Sequence, residues 1–406
     1  MRRSPQLPSP PRRYQSGTAQ LVDRDKAVEE ETLPGYDPEE FYPVHIGEIF
    51  HRKYQVLGKL GFGATSTVWL CHDLRDHRYV TLKVYTRTPT SPPQINREVQ
   101  AYRHLSTIRS SHAGRRFVRE VLDSLELVRA DGSRHHCLVH PPLHITIRDF
   151  QRLGRKSTGL PEDVLKGLLL HLLPALDFLH TEANITHCDV KASNLMLTIE
   201  DEGVLVDFEQ AERENPCPRK VVSSERTIYA SRDFRHPEDY NWGYPVLCDF
   251  GEARIGSSHP YKVIQPEIYR APEIIMETEW SHSVDIWNTG CLIWDIFENK
   301  HLFDARNEEG EHSNRFHVAE MVACLGTPPI ELLQRSERAP LVFDEAGHWK
   351  GNPPLPQLSL EASEEHLEGA NKAAFLNFMR SMLTWLPEER NTARELLEDP
   401  WLCGRV

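Results

Sequence analysis

The apolar residues of this chain change their period near residues 140–144, and that switch limits what it can fold into. Before it, YQVLGKL (54–60), STVWLCHDL (66–74) and RYVTLKVY (78–85) are β-type runs around a glycine-bearing turn. FVREVLDSLELVR and HHCLVH read as further strands. After it, LPEDVLKGLLLHLLPALDFLH carries Val164, Leu168, Leu172, Leu176 and Leu179 at helical spacing. One earlier helix is expected after the third run, with Ser91 as its cap and Pro92 in its first turn. Ile95, Val99 and Tyr102 fall on one face of it. Later helices are expected at SVDIWNTGCLIWDIF, at NKAAFLNFMRSML and near the end, where Thr392 and Glu395 make a capping-box pattern. The class is α+β. A strand-rich lobe over 41–143, with a lead-in segment, meets a helical lobe over 144–406 across a cleft.

Composition sets the outer limits. The 406 residues, 39% hydrophobic, suffice for two lobes with real cores. The eight cysteines form no CxxC pairs, so they read as reduced thiols of an intracellular protein. There is no run of eighteen apolar residues, so no membrane span is expected. A net charge of −13 argues against a nucleic-acid binder and permits a basic partner. Residues 1–40 are rich in Pro, Arg, Ser and Glu and read as a disordered tail. The prolines in MRRSPQLPSPPRR oppose the amphipathic helix of a mitochondrial leader.

Three segments carry groups suited to chemistry. In LGKLGFGATSTVWL, Gly61 and Gly63 flank Phe62, and Ser66 stands where a third glycine would complete GxGxxG. A dinucleotide-binding turn would lead into a helix. Thr65, Thr67, Val68 and Trp69 instead favour a hairpin, either one covering phosphates with its N–H groups or a plain turn. Lys83 sits inside an apolar strand and needs an anionic partner, which Glu98 can supply. The loop ITHCDVKASNLML holds Asp189, a candidate proton acceptor, with Lys191 to neutralise a moving phosphoryl group. Asn194 offers an oxygen to Mg2+.

HCDVKASN resembles the catalytic loop of eukaryotic protein kinases, and the glycine turn, Lys83 and Glu98 match the rest of that signature set. YRAPE (269–273) resembles the family's Ala-Pro-Glu element, and VDIW its buried helix. The resemblance covers about residues 54–402 and implies a bilobal kinase fold. It implies ATP and Mg2+ as cofactors, with Leu60, Gly61, Gly63, Ser66, Val68, Lys83, Glu98, Pro141 and Leu143 around the nucleotide. Asp189 and Lys191 would be catalytic, and Asn194 would hold metal. Asp285 would brace the catalytic loop, and Arg390 would pair with Glu273.

Two stretches compete for the second metal ligand, VLVDFEQAE (204–212) and VLCDFGEAR (246–254). Asp207 has the customary spacing from Asn194. Asp249 has the better chemistry, because Gly251 permits an open backbone where the rival carries a second carboxylate, Glu209. Asp249 also has the normal distance to Ala-Pro-Glu. It is taken as the metal ligand, and 200–245 as an insertion.

PRKVVSSERTIYASRDF and the lead-in from Gly35 are similar to the serine/arginine-protein kinases. That likeness implies serine phosphorylation in Arg/Ser-rich protein segments such as those of splicing factors. It also implies a cytoplasmic and nuclear location and a monomer binding neither nucleic acid nor membrane. Asp304, Glu308, Glu309 and Glu311 would then form a docking groove or, alternatively, a solvated loop. Cys188 replaces the usual arginine before Asp189, which implies activity without an activation-loop phosphate. Thr81 replaces a common alanine and would tighten the adenine pocket. The cluster His135, His136, Cys137, His140 and His144 reads as hinge rather than zinc site. Two rivals stand beside this reading, an inactive scaffold of the same fold and a small-molecule kinase.

Overall fold

The computed structural model describes residues 9–12, 19–88, 93–153 and 159–405. It divides into two compact units. The first comprises 1–96, 119–144 and 198–243, and the second 97–118, 145–197 and 244–406.

The first unit is built on a six-stranded antiparallel sheet. Its strands are β1 (Ile49–Phe50), β2 (Tyr54–Gly63), β3 (Ser66–Asp73), β4 (Arg78–Thr88), β5 (Asp123–Val128) and β6 (Arg134–His140), in the order β1-β2-β3-β4-β6-β5. Period-two patterning puts Val56, Trp69, Cys71, Val80, Leu82, Val84, Cys137 and Val139 in one core, joined by Tyr229 from the insertion. Leu57 and Leu70 form a second apolar surface.

The insertion covers that surface. The helices of the chain up to this point are α1 (Pro93–Thr107), α2 (Ile147–Arg152), α3 (Glu162–Thr181) and α4 (Gly203–Glu214). Val204, Leu205 and Phe208 of α4, with Phe234, bury against Leu57 and Leu70. Gly58 of β2 must be small here, since a Cβ would lie 2.8 Å from the Phe208 ring. Arg232 donates its backbone N–H to the Lys59 carbonyl at 2.9 Å. Residues 198–243 therefore belong with the strand-rich unit, although the sequence pattern assigned them to the helical lobe. The apolar face of α4 decides this, because it needs a partner that the sheet provides.

The expectation of a disordered tail over 1–40 is corrected for residues 19–40. Low apolar content is offset there by ion pairing. Lys59, 2% exposed in the middle of β2, is held by Glu29 (3.3 Å) and Glu30. Lys220 donates to both oxygens of Glu31 at 2.9 Å. Glu29 also accepts from the Ser231 hydroxyl at 2.7 Å. Residues 1–8 and 13–18 lie outside the described residues.

The second unit is helical. α3 is long and apolar enough to cross a membrane by composition, but its leucines 165, 168, 169, 172, 173, 176 and 179 are buried in this unit's core. Trp287 and Trp294 on the helix Ser283–Glu298, and Phe375 and Phe378 on the helix Gly369–Met382, fill that core. The capping box at Thr392 forms as expected. Residues 97–118 also belong to this unit, a second departure from the expected boundary. Ile95, Val99 and Tyr102 of α1 are buried as the spacing predicts, while Ser91 and Pro92 lie outside the described residues.

Phe208→Ala empties the contact between α4 and the sheet. We expect it to cost about 3–5 kcal/mol in chemical denaturation. A loss under 1 kcal/mol would show that the insertion is not structurally coupled to the sheet.

Candidate active site

In the first unit, β2 and β3 form the hairpin that the residue types favoured, with Gly61 opposite Val68 and Gly63 opposite Ser66. A Cβ built on Gly61 or Gly63 would meet nothing within 4 Å, so the turn presents bare backbone to open space. Leu60 and Val68 are half-buried, Ser66 is buried and Phe62 is exposed. Lys83 lies in β4 between Val68 of β3 and Leu138 of β6, its ammonium 5.1 Å from the centre of the Tyr85 ring. Thr81, two residues earlier, buries a hydroxyl that has no hydrogen-bond partner among the described residues. Pro141 and Leu143 follow β6 directly.

The histidine cluster around this turn is committed elsewhere. His135 Nδ1 meets the Tyr85 carbonyl (2.9 Å), His140 Nδ1 that of Glu120 (2.8 Å) and His144 Nε2 that of Arg235 (2.9 Å). Burial pushes all three imidazoles below their usual range. Each ring is neutral and spent on a separate carbonyl.

In the second unit, the catalytic loop hangs from one buried carboxylate. Asp285, fully buried, accepts the backbone N–H of His187 (2.7 Å) and of Cys188 (2.8 Å). His180 Nε2 donates to it at 2.9 Å. Burial alone would raise its pKa, but these donors outweigh burial and hold it below the usual carboxylate range. The bonds fix Cys188 in a left-handed conformation, φ 65°. Its thiol is buried and pushed well up, so it is inert.

That turn aims Asp189 at two side chains. Lys191 Nζ donates to Asp189 Oδ2 at 2.8 Å, and Asn194 Nδ2 donates to the same oxygen at 2.8 Å. Burial raises the Asp189 pKa above the ordinary aspartate value, with Lys191 opposing it. With its amide nitrogen so engaged, Asn194 is left with its side-chain Oδ1 as the oxygen suited to a cation.

Strand pairing places Asp249 beside this group. Leu195–Thr198 runs antiparallel to Pro245–Leu247, with Leu195 opposite Leu247, and Cys248 N–H bonds the Asn194 carbonyl at 2.8 Å. Asp249 itself adopts left-handed backbone in this turn, φ 63°. Phe250 is fully buried between Tyr102 of α1 and His187. Arg97 of α1 donates to the Gly251 carbonyl (2.8 Å) and to Glu252 (2.7 Å). Glu98, next to it, is 3% exposed. Asp207 stands elsewhere, half-exposed on α4 and ion-paired to Arg235.

Asn194 and Asp249 offer two hard oxygen donors. That fits Mg2+, which takes one or two protein ligands and fills its shell with phosphates and water. Farther along, Arg390 makes a doubly hydrogen-bonded pair with Glu273, 2.7 Å to each oxygen, both side chains fully buried.

The protein kinase domain model matches residues 54–242 and 239–402. This chain belongs to the protein kinase family. A serine/threonine protein kinase of Aspergillus fumigatus is 46% identical over 98% of this chain and 97% of its own length. The serine/threonine-protein kinase SRPK of Physarum polycephalum is 26% identical over 92% of both chains. A crystal structure of a kinase domain superposes with a TM-score of 0.67 at 20% identity, covering 90% of this chain and all of that one. The chain is a serine/threonine protein kinase with the kinase fold, similar to the serine/arginine-protein kinases.

The sequence reading missed three positioning groups of this kinase. His180 ends the long helix and reaches Asp285, a contact that no local spacing announces. Arg97 sits on the exposed side of a helical pattern. Lys59 had a readable signal, because it breaks an apolar strand just as Lys83 does.

Arg390→Met would leave Glu273 buried without its cation. We expect a loss of about 3–5 kcal/mol in denaturant unfolding. The Glu273→Gln/Arg390→Met double variant should recover part of it. A single variant as stable as the parent would contradict the buried pair.

Proposed function

We propose that this kinase phosphorylates serines within arginine-rich protein segments, with ATP and Mg2+ as its cofactors. The observation that supports the substrate class is similarity along most of the chain to kinases named SRPK and SRSF protein kinase. One is an SRSF protein kinase 3 of Mus musculus, 22% identical over 92% of this chain. The acidic loop supports it. The Asn307 side chain accepts the N–H groups of Glu309 (3.1 Å) and Glu311 (2.8 Å) and pins the backbone. Glu308, Glu309 and Glu311 are exposed and have no ion-pair partner among the described residues. Asp304, also exposed, pairs with Arg306 at 3.2 Å. Three unengaged carboxylates on a pinned loop suit guanidinium groups.

In this reading Asp189 orients the substrate hydroxyl and takes its proton, and Lys191 offsets the charge of the moving phosphoryl group. Asn194 and Asp249 hold the metal. The bare backbone of Gly61 and Gly63, with Ser66 and Lys83, holds the phosphates. Leu60, Val68, Pro141 and Leu143 surround the adenine, and the buried Thr81 narrows that pocket. ATP supplies the phosphoryl group and Mg2+ neutralises its charge. The protein contributes position and preorganised charge.

Asp249→Asn should lower kcat on an Arg-Ser peptide by about 100-fold or more. Asp207→Asn removes only a surface ion pair and should change kcat by less than about twofold. The reverse pattern would overturn the metal assignment.

Since only ionised Asp189 accepts a proton, kcat/KM should fall as pH drops through its raised pKa. That limb should lie above the ordinary aspartate value. Asp189→Asn should remove nearly all turnover. A nucleotide-induced thermal shift without any phosphate transfer by the parent would point instead to an inactive scaffold.

Charge reversal at Glu308, Glu309 and Glu311 should weaken Arg-Ser peptide binding about tenfold at low salt, and less at 0.5 M salt. Unchanged affinity at low salt would remove the docking surface.

A further inference from the structure

A cavity of about 630 Å3 opens beside the catalytic loop, wholly within the second unit. Lys191, Ala192 and Ser193 form one wall of it. A substrate whose hydroxyl meets Asp189 therefore passes this mouth with the residues nearest its acceptor serine, at roughly 3.3 Å per extended residue. What the cavity holds beside that serine is set by its charge.

That charge is positive. Arg148 and Arg152 lie four residues apart on α2 and share a face. Arg148 has no hydrogen bond or ion pair among the described residues, and Arg152 meets Asp149 only at 3.9 Å. Lys191, paired with Asp189 at 2.8 Å, and Lys300, paired with Glu365, are the other cations of the lining. Among the described residues the one acidic lining residue is Asp295. Its Oδ2 already accepts from the Tyr269 hydroxyl (2.6 Å) and from His301 (2.7 Å). Its Oδ1 is closed off from solvent, so no incoming cation reaches it. Ser193 contributes a neutral hydroxyl donor.

We propose that this cavity is a substrate subsite for an anionic side chain, a carboxylate or a phosphoserine, one or two residues from the acceptor serine. An arginine there meets like charges, whereas an anion meets two guanidinium groups with little else to bind. The inference rests on the family's catalytic loop and not on the arginine-rich substrate, which would engage a different surface. Specificity is then split. Arginines suit the acidic loop at 304–311, and an acidic or already phosphorylated neighbour suits the position beside the reacting serine.

The test uses the full chain and serine peptides with one common arginine tract. The residues one and two positions either side of the acceptor are varied as Ala, Arg, Glu and phosphoserine. At one of these positions kcat/KM should rise over Ala by about threefold for Glu and about tenfold for phosphoserine, with Arg worst. The Glu arm reads the carboxylate and the phosphoserine arm the phosphate. Arg148→Glu/Arg152→Glu should erase both gains and leave the Ala peptide's rate unchanged. Fluorescence anisotropy with an alanine-acceptor phosphoserine peptide repeats the comparison without turnover. Preserved anisotropy discrimination with no turnover would support the subsite while counting against the Arg-Ser substrate. Arg preferred at every flanking position, or gains intact in the double variant, would overturn the proposal.

Discussion

The chemistry of this kinase depends on the Asp285 carboxylate. Burying a lone carboxylate costs several kcal/mol unless hydrogen bonds replace its water. Here two backbone N–H groups and one imidazole do so. In return the loop from His187 to Asp189 cannot relax, and Cys188 stays at a φ that non-glycine residues rarely adopt. Every later contact follows from that turn. Asp189 is directed at Lys191 and Asn194, and Asn194 is tied by its carbonyl to the strand that carries Asp249. His187, the first residue of the turn, also bonds the Cys248 carbonyl at 3.0 Å and packs on Phe250. One buried group thus holds both the Asp189 loop and, through His187, the turn at Asp249.

The strand-rich unit shows a different economy. Its sheet has an apolar outer surface at Leu57 and Leu70 that would otherwise face water. Helix α4 and Phe234 cover it, and an acidic N-terminal segment closes over the buried ammonium of Lys59. Both additions converge on β2, the strand that leads into the glycine turn. The Lys59 carbonyl receives Arg232, and its side chain receives Glu29 and Glu30.

The elements with strong periodicity were legible in advance. The three strands from Tyr54, the buried face of α1 and the capping box at Thr392 follow from local pattern alone. The pairing of Arg390 with Glu273 came from the family resemblance and not from local pattern, and the structure forms it. The acidic N-terminal segment was misjudged for a definite reason. Composition measures how much apolar surface a segment can bury, and this segment is anchored by charge to cations in the sheet and the insertion. The turn at Asp249 was legible only in part, because the loop holds a non-glycine residue, the aspartate itself, in left-handed backbone.

The sequence by itself determined the kinds of element and the order of the motifs. These depend on residue type and short spacing, which one strand or one helix already contains. Only the tertiary structure decided which unit residues 198–243 join and how Asp207 is spent. It also decided that cations line the cavity next to Lys191. Those outcomes are set by which surfaces meet after the chain closes, and Arg148, Lys191 and Asp295 come together only through contacts distant in sequence.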